Sequence, residues 1–449
     1  MGSIEKRAKV VSFGCQMNER DSETIAGLLA ASGYCMCGDD DKVSPDLVIF
    51  VTCCVRENAE NRALGNLGDM KRLKEANPQM IIGIAGCMVQ QEGIREMIAQ
   101  RMPWVDLVFG THNIHRLPEL LARVEMGERV VEVLPDSEGV QEGLPAIRAY
   151  RHKAFVNITY GCDNFCSYCI VPYVRGRERS RGVDDVLYEV CGLVDKGCRE
   201  VTLLGQNVNA YGRGLPPSPD GRVPGFADLL RAVNSVDGLN RIRFTTSHPR
   251  DFTQEMIDAC AESERVCRHL HLPLQAGSDR VLSEMNRGYT LGVYLDLLQA
   301  IRKKMPDASI TTDLMVGFPG ETEADFQCTL DAVRSARFDA AFTFIYSPRE
   351  GTVAAEMPDQ IDDAVKTDRI QRLIQVVNET AAGVNTSTVG SVQEVMVEGP
   401  SERDPEVMAG RTRSNKMVHW QANRPLEPGD IIYVKITDAR TWTLRGESV

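Results

Sequence analysis

The chain has 449 residues, of which 25% are charged and 43% hydrophobic, with a formal net charge of -12. This length allows two or three domains with their own cores, and the composition excludes a disordered or fibrous chain. No apolar run is long enough for a membrane helix and no signal peptide precedes the first motif, so we expect a cytoplasmic protein without a membrane. Because the chain is acidic, any binding of nucleic acid must rest on local basic patches.

Residues 1–130 alternate short apolar runs with helical patterns, which predicts a parallel-sheet α/β domain. Cys15, Cys53 and Cys87 each fall where a predicted strand ends and a helix begins. Ligands of open α/β sheets bind beyond the carboxyl ends of the strands, so these three thiols can converge there on an iron–sulfur cluster with one open iron. The alternatives are that buried cysteines have no chemical role, and that Cys54 replaces Cys53.

A linker with Pro135, Gly139 and Pro145 precedes the second segment, residues 148–382, where strand and helix patterns alternate through six units. Six such units predict a partial (β/α)6 barrel, with its site at the carboxyl ends of the strands. The first predicted strand leads directly into a loop that carries three cysteines.

The loop contains Cys162, Cys166 and Cys169 in the spacing C-x-x-x-C-x-x-C. Three thiolates on one short loop can hold three irons of a 4Fe–4S cluster and leave the fourth iron open. A zinc site usually needs four ligands, and no fourth ligand lies near this loop. Disulfides are also disfavoured, because the cysteines are sparse and the chain is not marked as secreted. We therefore favour the cluster over zinc, and zinc over disulfides.

Residues 386–449 consist of short β runs separated by turns, which predicts a small C-terminal antiparallel β-barrel. Barrels of this size often bind single-stranded nucleic acid through aromatic and basic side chains. The chain offers two basic groups as candidate RNA contacts, although such groups are more often solvated surface. They are Arg175, Arg177 and Arg181 after the cysteine loop, and Arg411, Arg413 and Lys416 beside Trp420.

Several separated motifs together resemble one enzyme family, the methylthiotransferases of the radical S-adenosylmethionine superfamily. These motifs are FGCQMNERDSE, VTCCVRENAENR, AGCMVQ, YGCDNFCSYCIVPYVRGRERSR, LLGQNVNAYG, LPLQAGSD, MNRGYT and DLMVGFPGET. The resemblance implies an N-terminal cluster domain, a radical S-adenosylmethionine core and a C-terminal TRAM domain. The family pattern places its cysteine after a threonine, so the resemblance favours Cys53, which follows Thr52, over Cys54.

The run Gly205–Tyr211 is similar to the branch that adds a methylthio group to carbon 2 of N6-isopentenyladenosine beside the tRNA anticodon. The resemblance implies two 4Fe–4S clusters and two molecules of S-adenosylmethionine, one for methylation of a sulfur species and one for the radical. Implied partners are the tRNA anticodon stem-loop carrying isopentenyladenosine and an electron donor of flavodoxin or ferredoxin type, and we expect a monomer. Alternatives are branches acting on threonylcarbamoyladenosine or a ribosomal-protein aspartate, or a zinc-containing RNA-binding protein.

Polar residues at or near the predicted strand ends are candidates for binding the cofactor, and no side chain is assigned as a catalytic acid or base. Each candidate also has an alternative role as a structural hydrogen-bonding group. The candidates are Gly205, Gln206, Asn207, Ser247, Gln275 and Asp313, and His248 and Ser278 could also line the pocket.

Overall fold

The structure is a computed structural model that describes residues 6–38, 44–54, 57–136, 139–219 and 221–449. The chain forms two compact units. The first comprises Met1–Ala149, Thr159–Asp163 and Cys169–Arg181, and the second comprises Tyr150–Ile158, Asn164–Tyr168 and Gly182–Val449. Within the described ranges, no helix has the length and apolar character that crossing a membrane requires.

The first unit is built on six parallel strands in the order β2-β1-β3-β4-β5-β6. Its strands are β1 (Arg7–Ser12), β2 (Cys35–Met36), β3 (Leu47–Thr52), β4 (Ile81–Gly86), β5 (Leu107–Phe109) and β6 (Val130–Glu132). Its main helices are α1 (Gln16–Ala31), α2 (Glu57–Ala76), α3 (Glu92–Arg101) and α4 (Leu117–Glu125), with short 3-10 helices at Met88–Gln90 and Thr111–Arg116. The predicted parallel-sheet domain is confirmed; the short edge strands β2 and β6 were not predicted.

Strand β3 explains why this sheet is covered on both faces. All six of its residues are buried and all but Thr52 are apolar. Successive side chains of a strand point to opposite faces of the sheet. Leu47, Ile49 and Val51 pack in a core with residues of α1 and α4. Val48 and Phe50 pack in a second core with residues of α2 and α3. A strand buried on both faces reads as a continuous apolar run, as this one does.

After β7 (Lys153–Asn157), which belongs to the second unit, the chain returns to the first. The returning segment contains β8 (Thr159–Tyr160), α5 (Val171–Arg175) and β9 (Arg179–Ser180). Strands β8 and β9 pair antiparallel and so close the segment that includes Cys169 and α5. Residues Asn164–Tyr168 of the cysteine loop belong to the second unit.

The second unit contains the predicted six βα repeats, and the partial (β/α)6 barrel is confirmed. Two three-stranded parallel sheets, β7-β10-β11 and β12-β13-β14, carry it. The remaining strands are β10 (Glu200–Leu204), β11 (Arg241–Thr245), β12 (His269–His271), β13 (Ser309–Val316) and β14 (Ala340–Ile345). The helices are α6 (Val183–Asp195), α7 (Phe226–Asn234), α8 (Gln254–Glu262), α9 (Asp279–Glu284), α10 (Leu291–Lys304), α11 (Glu323–Ala336) and α12 (Asp363–Thr386), with 3-10 turns at Val208–Ala210, Pro249–Asp251 and Val353–Ala355.

The C-terminal segment is a closed five-stranded barrel in the order β15-β16-β17-β19-β18. Its strands are β15 (Val392–Ser401), β16 (Asp404–Thr412), β17 (Met417–Gln421), β18 (Ile431–Ala439) and β19 (Thr443–Ser448). The barrel differs from the prediction in two respects. Strands β17 and β19 pair parallel, and β16, whose sequence is broken by charged residues, Pro405 and Gly410, was not predicted.

Two buried arginines of β11 join this barrel to the partial barrel. Arg241 is fully buried, forms an ion pair with Glu394 at 2.8 Å and donates a hydrogen bond to the carbonyl oxygen of Arg411. Arg243 contacts Glu200 at 3.0 Å and donates to the carbonyl oxygen of Thr412. Because a buried guanidinium is costly without partners, these contacts fix the hairpin of β16 and β17 against β11.

That docking corrects part of the predicted RNA surface. Trp420 is 2% exposed and lies in the barrel core with Val395, Val418 and Leu444, so its ring offers no stacking face. Lys416 pairs with Asp339 at 2.6 Å.

Arg413 and Arg411, the other two predicted RNA contacts of this segment, lie in or beside the same hairpin. The guanidinium of Arg413 donates to the carbonyl oxygens of Glu264 and Val266. Arg411 lies 3.4 Å from Glu398 and keeps 39% of its side chain exposed, so it alone of these four stays an open candidate.

We expect Trp420→Ala to destabilise the barrel by about 3–5 kcal/mol, because it removes a large buried side chain and leaves a cavity. Denaturant unfolding of the full chain measures this loss. Trp442→Ala is the matched control, since Trp442 is 51% exposed. Equal losses in both variants would contradict the core assignment of Trp420.

Candidate metal centres and cofactor site

Three predicted cysteines lie at the carboxyl edge of the first sheet because of its strand register. Thr52 of β3 pairs directly with Gly86 of β4, so the next residues, Cys53 and Cys87, leave the sheet side by side. Cys15 precedes the first residue of α1, which follows β1 on the other side of β3. Parallel strands therefore bring residues from three distant stretches to one edge.

Two glycines at this edge allow neighbouring backbone segments to approach each other closely. Gly14 has a φ of +122°, and a Cβ there would overlap the Cβ of Cys53 and lie 3.0 Å from its sulfur. Gly86 has a φ of +104°, and a Cβ there would press on the backbone of Thr52. Only glycine adopts such a conformation at no steric cost, so both positions favour the thiol cluster.

The thiols at this edge form what we call the N-terminal cysteine group, which consists of Cys15, Cys53, Cys54 and Cys87. Cys15 and Cys53 share a hydrogen bond, and so do Cys54 and Cys87. Cys53, Cys54 and Cys87 are buried, and Cys15 is half-buried. The structure thus brings together the three predicted sulfurs and also Cys54, so geometry alone leaves the choice between Cys53 and Cys54 open.

The surroundings of this group stabilise the thiolates of Cys15 and Cys87. The hydrogen bond from Cys53 lowers the pKa of Cys15 to about 6, with help from the charge of Arg175 and against the effect of burial. The pKa of Cys87 is also lowered, by the hydrogen bond from Cys54 and by Arg175, whereas the pKa of Cys54 is raised. Thiolates, not thiols, are the ligands of metals.

Arg175, at the end of α5, is buried against the N-terminal cysteine group. Its Nε donates to Sγ of Cys87 at 2.9 Å, and its Nη2 donates to Asp21 at 2.7 Å and to Asn18 at 3.1 Å. A guanidinium engaged in this way cannot reach a phosphate, which corrects the expectation that Arg175 contacts RNA.

The two neighbouring arginines have different surroundings. Arg181 is buried and paired with Glu142 at 2.6 Å, so the expectation that it contacts RNA is corrected as well. Arg177 is 69% exposed beside Asp163 and stays a candidate RNA contact.

The cysteine loop contributes residues to both units. Cys162 and Cys169 belong to the first unit and are half-buried. Cys166 belongs to the second unit, where it is buried and accepts a hydrogen bond from Nη1 of Arg287 at 3.4 Å. The loop therefore has one sulfur beside a buried cation, as the N-terminal cysteine group has.

In the second unit, polar atoms without partners collect after β10 and β11. Within the described part of the chain, four buried side-chain atoms there make no hydrogen bond: Oε1 of Gln206, Oδ1 of Asn209, Oγ of Ser247 and Nε2 of His248. Burying a polar group without a partner costs about 1–3 kcal/mol. Four such atoms at adjacent strand ends indicate a polar ligand, and three of them belong to residues predicted to line the pocket, Gln206, Ser247 and His248.

The other predicted cofactor residues have mixed surroundings. Asn207 is nearly fully buried. Its Nδ2 donates a hydrogen bond to Asp251, and its Oδ1 accepts one from the backbone N–H of His248, so its role is structural here. Gly205 pairs through its backbone with Thr245. Asp313 lies 3.4 Å from Nε2 of His271, and the backbone of Gln275, with a φ of +75°, bonds to Asp313 and Met315.

The donors at both candidate centres are cysteine sulfurs, which are the usual protein ligands of iron–sulfur clusters. No three of the described His, Cys, Asp and Glu side chains are spaced as ligands of one metal ion. In a cubane cluster each thiolate binds a different iron, so its ligands stand farther apart than those of one ion. Sulfur donors, the guanidinium of Arg175 beside Cys87, and partnerless polar atoms together suit a cluster and a polar cofactor.

Comparison with known families agrees with this arrangement. Residues 156–333 match the radical SAM superfamily, residues 7–110 match Uncharacterized protein family UPF0004, and residues 386–449 match the TRAM domain. Relatives named tRNA-2-methylthio-N(6)-dimethylallyladenosine synthase extend over nearly the whole chain. One from Moorella thermoacetica is 51% identical and covers 100% of both chains, and one from Alkaliphilus oremlandii is 50% identical, covering 99% of this chain and 93% of its own.

The chain belongs to the tRNA-2-methylthio-N(6)-dimethylallyladenosine synthase family. The predicted family resemblance is thereby confirmed. Among solved structures, the radical S-adenosylmethionine methyltransferase TsrM from Kitasatospora setae matches with a TM-score of 0.56 and 15% identity, over 78% of this chain and 74% of its own. The cobalamin-dependent S-adenosylmethionine radical enzyme OxsB matches with a TM-score of 0.52 and 12% identity, over 84% and 56%. At such identities these two show the fold alone.

Sequence analysis missed several residues of this synthase-family site. Arg287 lies within the quoted motif MNRGYT, yet its side chain received no role. The partners of Arg175, Asp21 and Asn18, lie in FGCQMNERDSE, which was used only for its cysteine. A buried arginine beside cysteines has no local sequence pattern, so only the motif membership of these residues could have drawn attention to them.

In the apoprotein, we expect Cys15 to react with iodoacetamide at pH 7, with half of the maximal rate near pH 6, because its thiolate form is stabilised. Cys260, whose pKa burial raises to about 12, stays unreactive. Peptide mass spectrometry across a pH series measures both sites.

Arg175→Met should move the midpoint for Cys15 to higher pH, since a nearby positive charge is lost. Arg177→Met is the control, because Arg177 is exposed and pairs with Asp163 instead. An unchanged midpoint in Arg175→Met would contradict the electrostatic contribution of that guanidinium.

Proposed function

We propose that this chain is a tRNA-2-methylthio-N(6)-dimethylallyladenosine synthase, which adds a methylthio group to carbon 2 of N6-isopentenyladenosine in tRNA. Family membership supports the reaction. The observation that carries the proposal is the meeting of Cys15, Cys53 and Cys87 at one sheet edge, in a chain that also has a radical S-adenosylmethionine core. Two cysteine triads suit a reaction with two tasks, hydrogen removal and sulfur supply.

The first triad, Cys15, Cys53 and Cys87, would hold the cluster that supplies sulfur. Arg175 gives these sulfurs a fixed positive neighbour and excludes water from Cys87. Asp21 and Asn18 hold the guanidinium in this orientation, so the site does not depend on a mobile side chain.

The second triad, Cys162, Cys166 and Cys169, would hold the radical cluster. With S-adenosylmethionine bound, this cluster supplies a carbon radical able to remove hydrogen from the unactivated carbon 2 of adenine. Gln206, Ser247 and His248 would bind polar groups of the cofactor, because their buried atoms otherwise lack hydrogen bonds. Desolvation and nearby arginines keep the pKa of His248 far below neutrality, so its imidazole binds as a neutral group.

The RNA partner is the anticodon stem-loop that carries isopentenyladenosine. Of the basic residues considered, Arg177 and Arg411 keep exposed guanidinium groups and are the proposed backbone contacts. An electron donor of flavodoxin or ferredoxin type would reduce the radical cluster. The proposed enzyme acts as a monomer in the cytoplasm, where its tRNA substrate is.

The reaction is tested with anaerobically reconstituted protein, S-adenosylmethionine, a chemical reductant and an isopentenylated anticodon stem-loop. We expect a 2-methylthio product by nucleoside mass spectrometry, together with 5′-deoxyadenosine. Stem-loops carrying threonylcarbamoyladenosine or unmodified adenosine are the controls. Modification of the threonylcarbamoyl substrate instead would favour that branch, and a preparation holding zinc without iron would favour an RNA-binding protein.

Replacing single thiols tests which of them hold the first cluster. We expect Cys53→Ala to lower the iron content from about eight to about four per chain, since each cluster has four irons. S-adenosylmethionine cleavage should persist, while sulfur insertion is lost. Cys54→Ala is the matched neighbour and should keep about eight irons. The reverse pattern would assign the ligand role to Cys54.

A further inference from the structure

A buried guanidinium in the second unit has no carboxylate partner among the described residues. Arg287 is 4% exposed and follows α9. Its Nη2 donates to the carbonyl oxygen of Pro273 at 2.8 Å, and its Nε donates to the hydroxyl of Tyr289 at 3.0 Å. The remaining hydrogen bond is from Nη1 to Sγ of Cys166 at 3.4 Å. Two neutral oxygens, one sulfur and the ring of Tyr289, whose centroid lies 5.3 Å from the guanidinium carbon, thus surround a full positive charge.

This arrangement is costly unless an anion lies beside it. A buried charge without a counter-charge costs several kcal/mol, and arginine cannot shed its proton to escape that cost. No carboxylate of the described residues lies within ion-pair distance of Arg287. The compensating negative charge must therefore come from Cys166 itself or from a group bound to its sulfur.

The contrast with Arg175 is informative because both guanidinium groups contact a cysteine sulfur. Arg175 donates to Cys87 but also forms an ion pair with Asp21 at 2.7 Å, so its charge is already compensated. The charge of Arg287 is not compensated by any described residue. A cluster beside Arg287 therefore meets a positive charge without a carboxylate, whereas beside Arg175 the carboxylate of Asp21 offsets part of the positive charge.

We propose that Arg287 is the counter-cation of the cluster held by Cys162, Cys166 and Cys169, and that it raises the reduction potential of this cluster. The inference rests on the proposed function, since it requires that cluster. One electron from the flavodoxin- or ferredoxin-type donor adds one negative charge to the cluster, and no bond forms or breaks. Nearby charge and hydrogen bonds to sulfur are known determinants of cluster potentials. Arg287 acts on the reaction through Cys166, so it is a positioning residue.

The test is a redox titration of the reconstituted full-length protein, followed by electron paramagnetic resonance. We expect Arg287→Met to retain about eight irons and to lower the midpoint of the radical cluster. The ratio of reduced to oxidised cluster at a fixed potential should fall at least tenfold, which is about 59 mV for one electron. Arg287→Lys keeps the charge and should stay closer to the unaltered chain.

Controls separate this effect from a general loss of arginine. Arg334→Met changes an arginine that is 52% exposed and pairs with Asp331, so the midpoint should not move. The triple variant Cys15→Ala, Cys53→Ala and Cys87→Ala retains only the radical cluster and assigns its resonance. If Arg287→Met does not assemble, Arg287→Gln, which is also neutral, is judged by the same criterion.

An unchanged midpoint in a neutral variant with full iron would overturn the inference and leave the proposed function intact. A weaker affinity for S-adenosylmethionine with an unchanged midpoint would also overturn it, because the guanidinium would then serve the cofactor carboxylate. If the midpoint potential in Arg287→Lys is as negative as in Arg287→Met, charge is ruled out as the cause. An unaltered chain that binds no iron would instead remove the proposed function itself.

Discussion

Parallel pairing of strands places the chemical groups of both units, because neighbouring parallel strands end at the same edge. In the first unit, the direct pairing of Thr52 with Gly86 is enough to place Cys53 beside Cys87. In the second, β10 and β11 end together, and Gln206 and Ser247 follow them. The geometry that collects sulfur atoms in one unit thus collects polar atoms in the other.

Much of this could be predicted from sequence, because parallel strands and their ends have local patterns. Apolar runs such as residues 47–52 mark buried strands, and a cysteine directly after such a run must lie at the edge. The six repeats of the second unit were predicted for the same reason. Weakly apolar elements were missed: β16 contains Pro405 and Gly410, and the edge strand β2 has two residues.

The roles of the arginines could not be predicted, since their partners come from distant parts of the chain. Arg175 and Asp21 are separated by 154 residues, and Arg241 and Glu394 by 153. From sequence, a run of arginines after the cysteine loop suggested phosphate contacts. Whether an arginine faces solvent or a sulfur depends on tertiary packing, which changes its function while leaving the local pattern identical.

These placements also bear on how an acidic chain would meet RNA under the proposed function. The net charge is -12, and Arg175 beside the N-terminal cysteine group, Arg181 and Arg241 are all buried against carboxylates. Such arginines lower the cost of gathering thiolates and carboxylates inside the protein, but they give no attraction for phosphates. Under the proposed function, Arg177 and Arg411 are the exposed cations that we expect at the RNA backbone. Contacts to the modified base would then select the substrate, because phosphate contacts position a nucleic acid but carry no sequence information.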